Sequence, residues 1–306
     1  MRTATGSSLR KSSPAPDFPA DAVEAAAGSR PVTSRRIEPG GYGRVNAHWH
    51  VRFADGTTAF VKQALTEAAD MWLRKERRVY ESVRGAFVPA LRGAGTAGPT
   101  TFLVLEDLSE AEWPPPWRPG RVDAVLRTLD EVHATPAPDW LQPLEELHDD
   151  VVGWPAVAAD PTAFLATGTS TQAWLEHTLP VLVDAVSGDV LEGTSLLHFD
   201  VRSDNLCFDR ARTVLVDWNI ACVGNPAFDV AFWLPSLRLE GGPEPAVILP
   251  GEGAVAAAVA GFFAARAGLP PPEGAPTVRA FQREQLAVAL PWAARELGLD
   301  PPTLTL

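Results

Sequence analysis

Lysine is scarce in this chain of 306 residues. There are three, Lys11, Lys62 and Lys75, all in the first half. Cysteine is scarcer still: Cys207 and Cys222 are too few for a disulfide framework and lack C-x-x-C spacing. Such usage suits a reducing compartment, and a cytoplasmic protein is expected. The opening segment has no apolar h-region, so a secretory leader is not expected. Long apolar runs are missing too. The longest, Ala254 to Ala265, has twelve residues, whereas about 20 are needed to cross a bilayer. Basic residues are outnumbered, 26 Lys+Arg against 38 Asp+Glu, for a net charge of −12. A surface of that sign repels phosphate backbones, which argues against a nucleic-acid partner.

What is present describes a globular chain. It is 46% hydrophobic and 21% charged, enough for a sizeable core. The length fits one large domain or two smaller ones. The charge is unevenly placed. Residues 1–139 hold 18 Lys+Arg against 17 Asp+Glu, whereas residues 140–306 hold 8, all arginine, against 21. The first part is balanced at +1 and the second carries −13. Such a split suggests one job facing an anion and another facing a cation. The competing explanation is that the acidic surface serves solubility alone.

Residues 1–30 are rich in Ser, Pro, Ala and Gly and are expected to form a mobile tail, with a short helix at Ala20 to Ala27. Asn46 to Phe53 alternates, Asp55-Gly56 turns, and Thr58 to Gln63 returns, which spells a β-hairpin. Glu67 to Val83 has helical spacing, and Thr100 to Leu105 reads as a short buried strand. Three prolines within Trp113 to Trp117 stop any regular element, so a junction between two units is placed just before them. Beyond it helices are expected at 122–132, 141–155, 171–186, 253–267 and 277–298, the third and last kinked at Pro180 and Pro291. Between them lie short strands at Ser195 to His198, Leu206 to Phe208 and Thr213 to Asp217.

The strongest local signal is Leu196-Leu-His198-Phe-Asp200-Val-Arg202-Ser-Asp-Asn205-Leu-Cys-Phe208, an H-x-D-x-x-x-x-N pattern between apolar strands. Asp217 ends the next strand. This pattern suits phosphoryl transfer. A hydroxyl attacking a γ-phosphate needs a carboxylate near its proton, the role expected of Asp200. Asn205 and Asp217 offer hard oxygens of the kind that suit Mg²⁺. Arg202 is placed to hold a phosphate oxygen, and His198 to orient the loop.

The block resembles the catalytic and metal loops of the aminoglycoside phosphotransferase and choline kinase superfamily, which shares the protein-kinase fold. The family usually reads H-G-D, and here Phe199 replaces the glycine. Asp217-Trp218-Asn219 is similar to the D-W-x of small-molecule kinases, and Gly224-Asn-Pro-Ala-Phe-Asp229 to a segment whose Asp braces the catalytic loop. The resemblance implies an α+β, bilobal protein-kinase-like fold. Residues 31–108 would be a small β-rich, nucleotide-binding N-lobe and residues 109–306 a larger, mainly helical C-lobe.

The same resemblance places demands on the first half. Lys62 ends the second hairpin strand, where a lysine for the α/β-phosphates belongs. Glu76 is the preferred carboxylate on the following helix, ahead of Glu81 and Glu67. Gly41 and Gly43 offer backbone N–H groups to phosphate. Glu106 and Leu108 lie in a stretch that resembles the linker whose main chain reads an adenine edge. The cofactors implied are ATP or GTP, with Mg²⁺.

His48 and His50 share one strand face, but no further ligand lies at zinc spacing, and they are read as ordinary strand residues. Trp140, Trp154 and Trp174 fit either core packing or an aromatic acceptor wall. Asp149, Asp150, Glu176 and Asp184 are acidic candidates for acceptor contacts by position. The expected acceptor is a small-molecule hydroxyl, cationic if the charge split serves recognition. An aminoglycoside-like or nucleoside antibiotic leads. A metabolic alcohol (amino sugar, choline-like amine, homoserine) and a non-catalytic binding module are the alternatives. The expected assembly is a monomer or homodimer.

Overall fold

The computed structural model describes residues 17–38, 45–272 and 275–302. Its first part is a five-stranded antiparallel sheet: β1 (Pro31–Ile37), β2 (Asn46–Phe53), β3 (Thr58–Ala64), β4 (Leu91–Ala97) and β5 (Thr100–Glu106), in the order β1-β2-β3-β5-β4. The expected hairpin is β2–β3. Gly56 takes the left-handed turn position at φ +85, and the Asp55 carboxylate accepts the Thr57 N–H at 2.9 Å. A strand shows alternate residues to opposite faces. In β2 one set is Ala47, Trp49, Val51 and Phe53, all buried; the other is Asn46, His48, His50 and Arg52.

The buried set lies under α1 (Ala20–Ala27). Val23 is fully buried with Trp49, Val51, Val61, Phe102 and Val104. Part of the segment expected as a tail is therefore packed structure: residues 17–30 hold the lid of an apolar cluster. Composition hid this, because one valine among alanines is a weak signal.

The opposite face of the sheet receives α2 (Glu67–Ser82), whose N-cap Thr66 accepts the Ala69 N–H through its hydroxyl. Leu73, Glu76, Val79 and Tyr80 are its buried side. Leu73, Val79 and Tyr80 join the larger core, which continues into the second part of the chain.

That second part is mainly helical. In order it holds α3 (Arg121–His133), α4 (His148–Val152), α5 (Trp154–Ala159), α6 (Thr162–Leu165), α7 (Gln172–Ala185), β6 (Ser195–Leu197), β7 (Leu206–Asp209), β8 (Arg212–Leu215), β9 (Cys222–Gly224), α8 (Ala227–Leu239), α9 (Pro245–Ile248), α10 (Gly253–Ala264) and α11 (Val278–Glu296). β6 pairs with β9 and β7 with β8, both antiparallel. Pro180 and Pro291 sit inside continuous helices.

One expectation fails here and one helix was not anticipated, each for a physical reason. The single helix expected over 141–155 is a 3-10 turn, then α4, then α5, parted at Gly153 with φ +66. Gly153 packs directly on the backbone of Gly261 in α10, and neither position has room for a β-carbon. α8 carries no polar stripe to mark its period. Phe228, Ala231, Trp233, Leu234, Pro235 and Leu237 are all buried, so the sequence reads as an apolar run. Among the described residues no helix is long and apolar enough to cross a membrane.

Candidate active site

The catalytic-loop motif starts where β6 ends. His198 is fully buried and hydrogen-bonded on three sides. Its backbone N–H donates to Asp229 at 3.0 Å, its Nε2 to the Val216 carbonyl at 2.9 Å, and its Nδ1 accepts the Asp200 N–H at 3.2 Å. These partners require the neutral Nε2–H tautomer, so the ring serves as a fixed strut. Its edge meets Trp218 at 4.6 Å.

Phe199 lies at φ +65, a region glycine enters freely and phenylalanine does not. Asp229 compensates: its other carboxylate oxygen accepts the Phe199 N–H at 2.6 Å, and its first also meets His133 Nε2 at 3.0 Å. The Phe199 ring packs edge-on to Phe232 at 5.3 Å. A single fully buried carboxylate from α8 thus clamps two successive amides of the loop.

Asp200 follows. Asn205 Nδ2 donates to its carboxylate at 2.7 Å and to its carbonyl at 2.9 Å. Arg202 Nε stands 3.4 Å from the same carboxylate and 3.1 Å from Asp204. Burial pushes the Asp200 carboxyl above its ordinary value, against the pull of Arg202.

Asp217 lies two residues past the end of β8, held at φ +67. Lys62 Nζ and Asn219 Nδ2 donate to its Oδ1 at 2.8 and 2.7 Å. Lys62 also donates to Glu76 Oε2 at 2.8 Å. Burial alone would lower the Lys62 ammonium, but the carboxylates of Glu76 and Asp217 outweigh it and hold it above its ordinary value. Burial likewise works against the Asp217 carboxylate, yet the Lys62 charge and hydrogen bond keep it below the usual range. Tyr80 was not singled out by sequence. Its buried hydroxyl donates to Glu76 Oε1 at 2.9 Å and accepts the Asp217 N–H at 3.2 Å.

Several of these groups line one cavity of about 790 Å³ between sheet and helical body, whereas Asp200 and His198 stand behind its lining. Lys62, Glu76, Glu106, Leu108, Arg202, Asn205 and Asp217 all line it. The Glu106 N–H is bonded to the Ala90 carbonyl at 2.9 Å, and the Leu108 carbonyl accepts from Ala111 and Trp113. Asn46, His48, His50 and Phe60 also line the cavity from the sheet side. Period two along β2 and β3 was the signal for this set.

Other expected residues lie elsewhere. Gly41 and Gly43 fall outside the described residues. Asp149 is fully exposed beside His148, and Asp150 is exposed with Arg266 at 3.6 Å. Glu176 accepts from Gln172 at 2.7 Å on an exposed face of α7, and Asp184 is exposed on the same helix. Trp174 is buried with its Nε1 on the Asp300 carbonyl, Trp154 is buried with its Nε1 on the Ala257 carbonyl, and Trp140 lies under the Arg78 guanidinium at 4.0 Å. None of these seven lines the cavity.

The donor set can be tested against a divalent cation. Asn205 spends its amide nitrogen on Asp200, so its carbonyl oxygen is the end available to a cation. Asp217 spends Oδ1 on Lys62 and Asn219, which leaves Oδ2. Two hard oxygens suit Mg²⁺, which takes its other ligands from water and substrate phosphates.

Similar solved structures lie at low identity. A choline/ethanolamine kinase family protein from Mesorhizobium loti is 15% identical with a TM-score of 0.54, covering 87% of this chain and 92% of that one. A choline kinase from Cryptosporidium parvum Iowa II is 8% identical with a TM-score of 0.50, covering 87% and 88%. A macrolide 2'-phosphotransferase from Brachybacterium faecium is 16% identical with a TM-score of 0.48, covering 92% and 97%. No curated protein sequence matches the chain. The five-stranded sheet, the helical body and the likeness to the first of these structures make the fold α+β and protein-kinase-like. Residues 36–262 match the phosphotransferase enzyme family, so the chain belongs to that family and is a small-molecule phosphotransferase of the aminoglycoside phosphotransferase and choline kinase type.

Proposed function

We propose that the chain transfers the γ-phosphoryl group of ATP or GTP, with Mg²⁺, to a hydroxyl of a small cationic acceptor. One observation carries this reading: Lys62, Asn205 and Asp217 converge on one cavity, and Asn205 of its lining is bonded to Asp200. The base would lie against the linker, between the Glu106 carbonyl and the Leu108 N–H. Lys62, already poised between two carboxylates, would hold phosphate oxygens. Asn205 Oδ1 and Asp217 Oδ2 would hold Mg²⁺, which when bound neutralises charge building on the phosphates.

Asp200 orients the acceptor hydroxyl and takes its proton. The acceptor oxygen bonds to the γ-phosphorus, the bond from that phosphorus to the bridging oxygen breaks, and ADP or GDP leaves. Arg202, beside Asp200 and on the cavity wall, would meet a phosphate oxygen. His198 and Asp229 hold the loop and touch no reactant.

The acceptor supported by the −13 balance of residues 140–306 is a cation, an aminoglycoside-like antibiotic first. A choline-like amine is the second reading, favoured by the likeness to the choline/ethanolamine kinase family protein. The test is nucleotide consumption across aminoglycosides, nucleoside antibiotics, macrolides, amino sugars and amines. Asp200→Ala should keep the fold and nucleotide binding while kcat falls at least about 10²-fold, the usual size of a general-base contribution. An alanine variant with most of the wild-type kcat would sink the assignment.

A further inference from the structure

His48 and His50 are the sequence motif that the proposed chemistry leaves unused. Both stand on the cavity face of β2. Register explains their neighbours. His50 lies opposite Phe60 of β3, and Phe60 opposite Leu105 of β5, so the three form one row across the sheet. His48 begins the next row, opposite Lys62, and its ring stacks on Phe60 at 5.4 Å and 26°. The row ends beside the linker that follows β5.

There His50 makes a bond no strand pairing supplies. Its Nε2 meets Asp107 Oδ2 at 2.9 Å, across 57 residues of sequence. β2 and β5 are not neighbours, because β3 lies between them. Asp107 sits between Glu106 and Leu108, and its other oxygen accepts the Ser109 N–H at 3.0 Å. One carboxylate therefore shapes the linker and ties it to the hairpin. Burial works against its charge, but the hydrogen bonds it accepts from Thr58, Ser109 and His50 hold the Asp107 carboxyl at about 2. At neutral pH it only accepts, and His50 Nε2 carries the proton. The pair is mostly shielded, with the side chains 27% and 13% exposed.

We propose that His50 is a positioning residue for the nucleotide base: its bond to Asp107 fastens the β2–β3 hairpin to the linker and sets the gap between Phe60 and the linker main chain. This rests on the reading that the cavity takes a nucleotide. The phosphate groups are held by Lys62, on the neighbouring row, and the chemistry by Asp200. Breaking the tie should therefore loosen the base without moving either.

The experiment titrates ATP and inorganic tripolyphosphate, each with Mg²⁺, into wild type, His50→Gln and His50→Met. Glutamine keeps an N–H donor near the Nε2 position, whereas methionine keeps length without the donor. Methionine should weaken ATP about tenfold, the usual worth of one hydrogen bond to a charged group. It should leave tripolyphosphate unchanged, and glutamine should restore most of the ATP affinity. In turnover, the nucleotide KM should rise while kcat and the acceptor KM stay near wild type. Equal ATP affinity in the two variants overturns the inference, and so does an equal loss of ATP and tripolyphosphate. Wild type binding neither ATP nor GTP would remove the nucleotide reading and this inference together. Wild type binding ATP, with methionine unaltered, removes this inference alone.

Discussion

At the scale of single residues, Tyr80 joins two halves of the site through one oxygen. Its hydroxyl bonds both Glu76 Oε1 and the N–H of Asp217, the residue held at φ +67. Tyr80→Phe removes that oxygen and leaves a buried donor and a buried acceptor short of a partner. An unsatisfied buried group costs about 1–3 kcal/mol, and the urea midpoint should fall accordingly. An unchanged midpoint would mean that water replaces the hydroxyl without loss. His48 gives a second test. Burial, helped by the Lys62 charge, lowers its pKa from 6.5 to about 4. The unfolded chain takes up a proton near 6.5, the folded chain only near 4, so folding stability is full above 6.5 and declines as pH falls through that window. The slope from one such group is at most about 1.4 kcal/mol per pH unit. His48→Gln should flatten it in denaturation curves taken between pH 7 and 4. A slope as steep in the glutamine variant would place the titration elsewhere.

At the scale of elements, the contact of α4 and α5 with α10 depends on two glycines that meet backbone to backbone. Gly261→Ala would place a methyl group on the Val152 carbonyl and on the Trp154 ring. Trp154 is itself fixed through Nε1 to the Ala257 carbonyl at 2.7 Å, one turn away in α10. The helices must part or the ring must turn, and overpacking of this kind costs about 1–3 kcal/mol. Chemical denaturation of the alanine variant should show that loss, and a variant as stable as wild type would mean that the helices slide apart freely. The same contact explains why a helix legible over 141–155 is broken. Periodicity in sequence reports which face is apolar, but it cannot report how closely another backbone approaches. α8 was illegible for the opposite reason: nearly every face of it is buried, so no period survives.

At the scale of the whole molecule, the charge split has a measurable consequence. If the −13 balance of residues 140–306 draws in a cation, the acceptor KM should rise with salt. The Debye length shrinks from about 10 Å at 0.1 M to about 3 Å at 1 M, which cuts attraction between exposed charges. Nucleotide must be saturating, because its own binding also responds to salt. Asp149, Asp150, Glu176 and Asp184 are exposed and lie off the cavity, so they would act through the long-range field. A KM indifferent to salt would assign the acidity to solubility alone.

Sequence by itself determined the reaction type and the fold family. The spacing of His198, Asp200, Asn205 and Asp217 sits within one strand–loop–strand stretch, where local connectivity already limits how far apart the groups can be. Lys62 was legible because the chain has so few lysines and this one lies in the second strand of a hairpin. Tertiary structure decided which groups touch. Lys62 meets Asp217 across 155 residues, His198 meets Asp229 across 31, and His50 meets Asp107 across 57. It also took Glu76, rather than Glu67 or Glu81, to the buried lysine, since only Glu76 lies on the inner side of α2. Such pairings follow from sheet register and helix packing, which depend on the whole chain folding at once. A residue's type announces what chemistry it can do, but its partners are set by the fold that brings distant segments together.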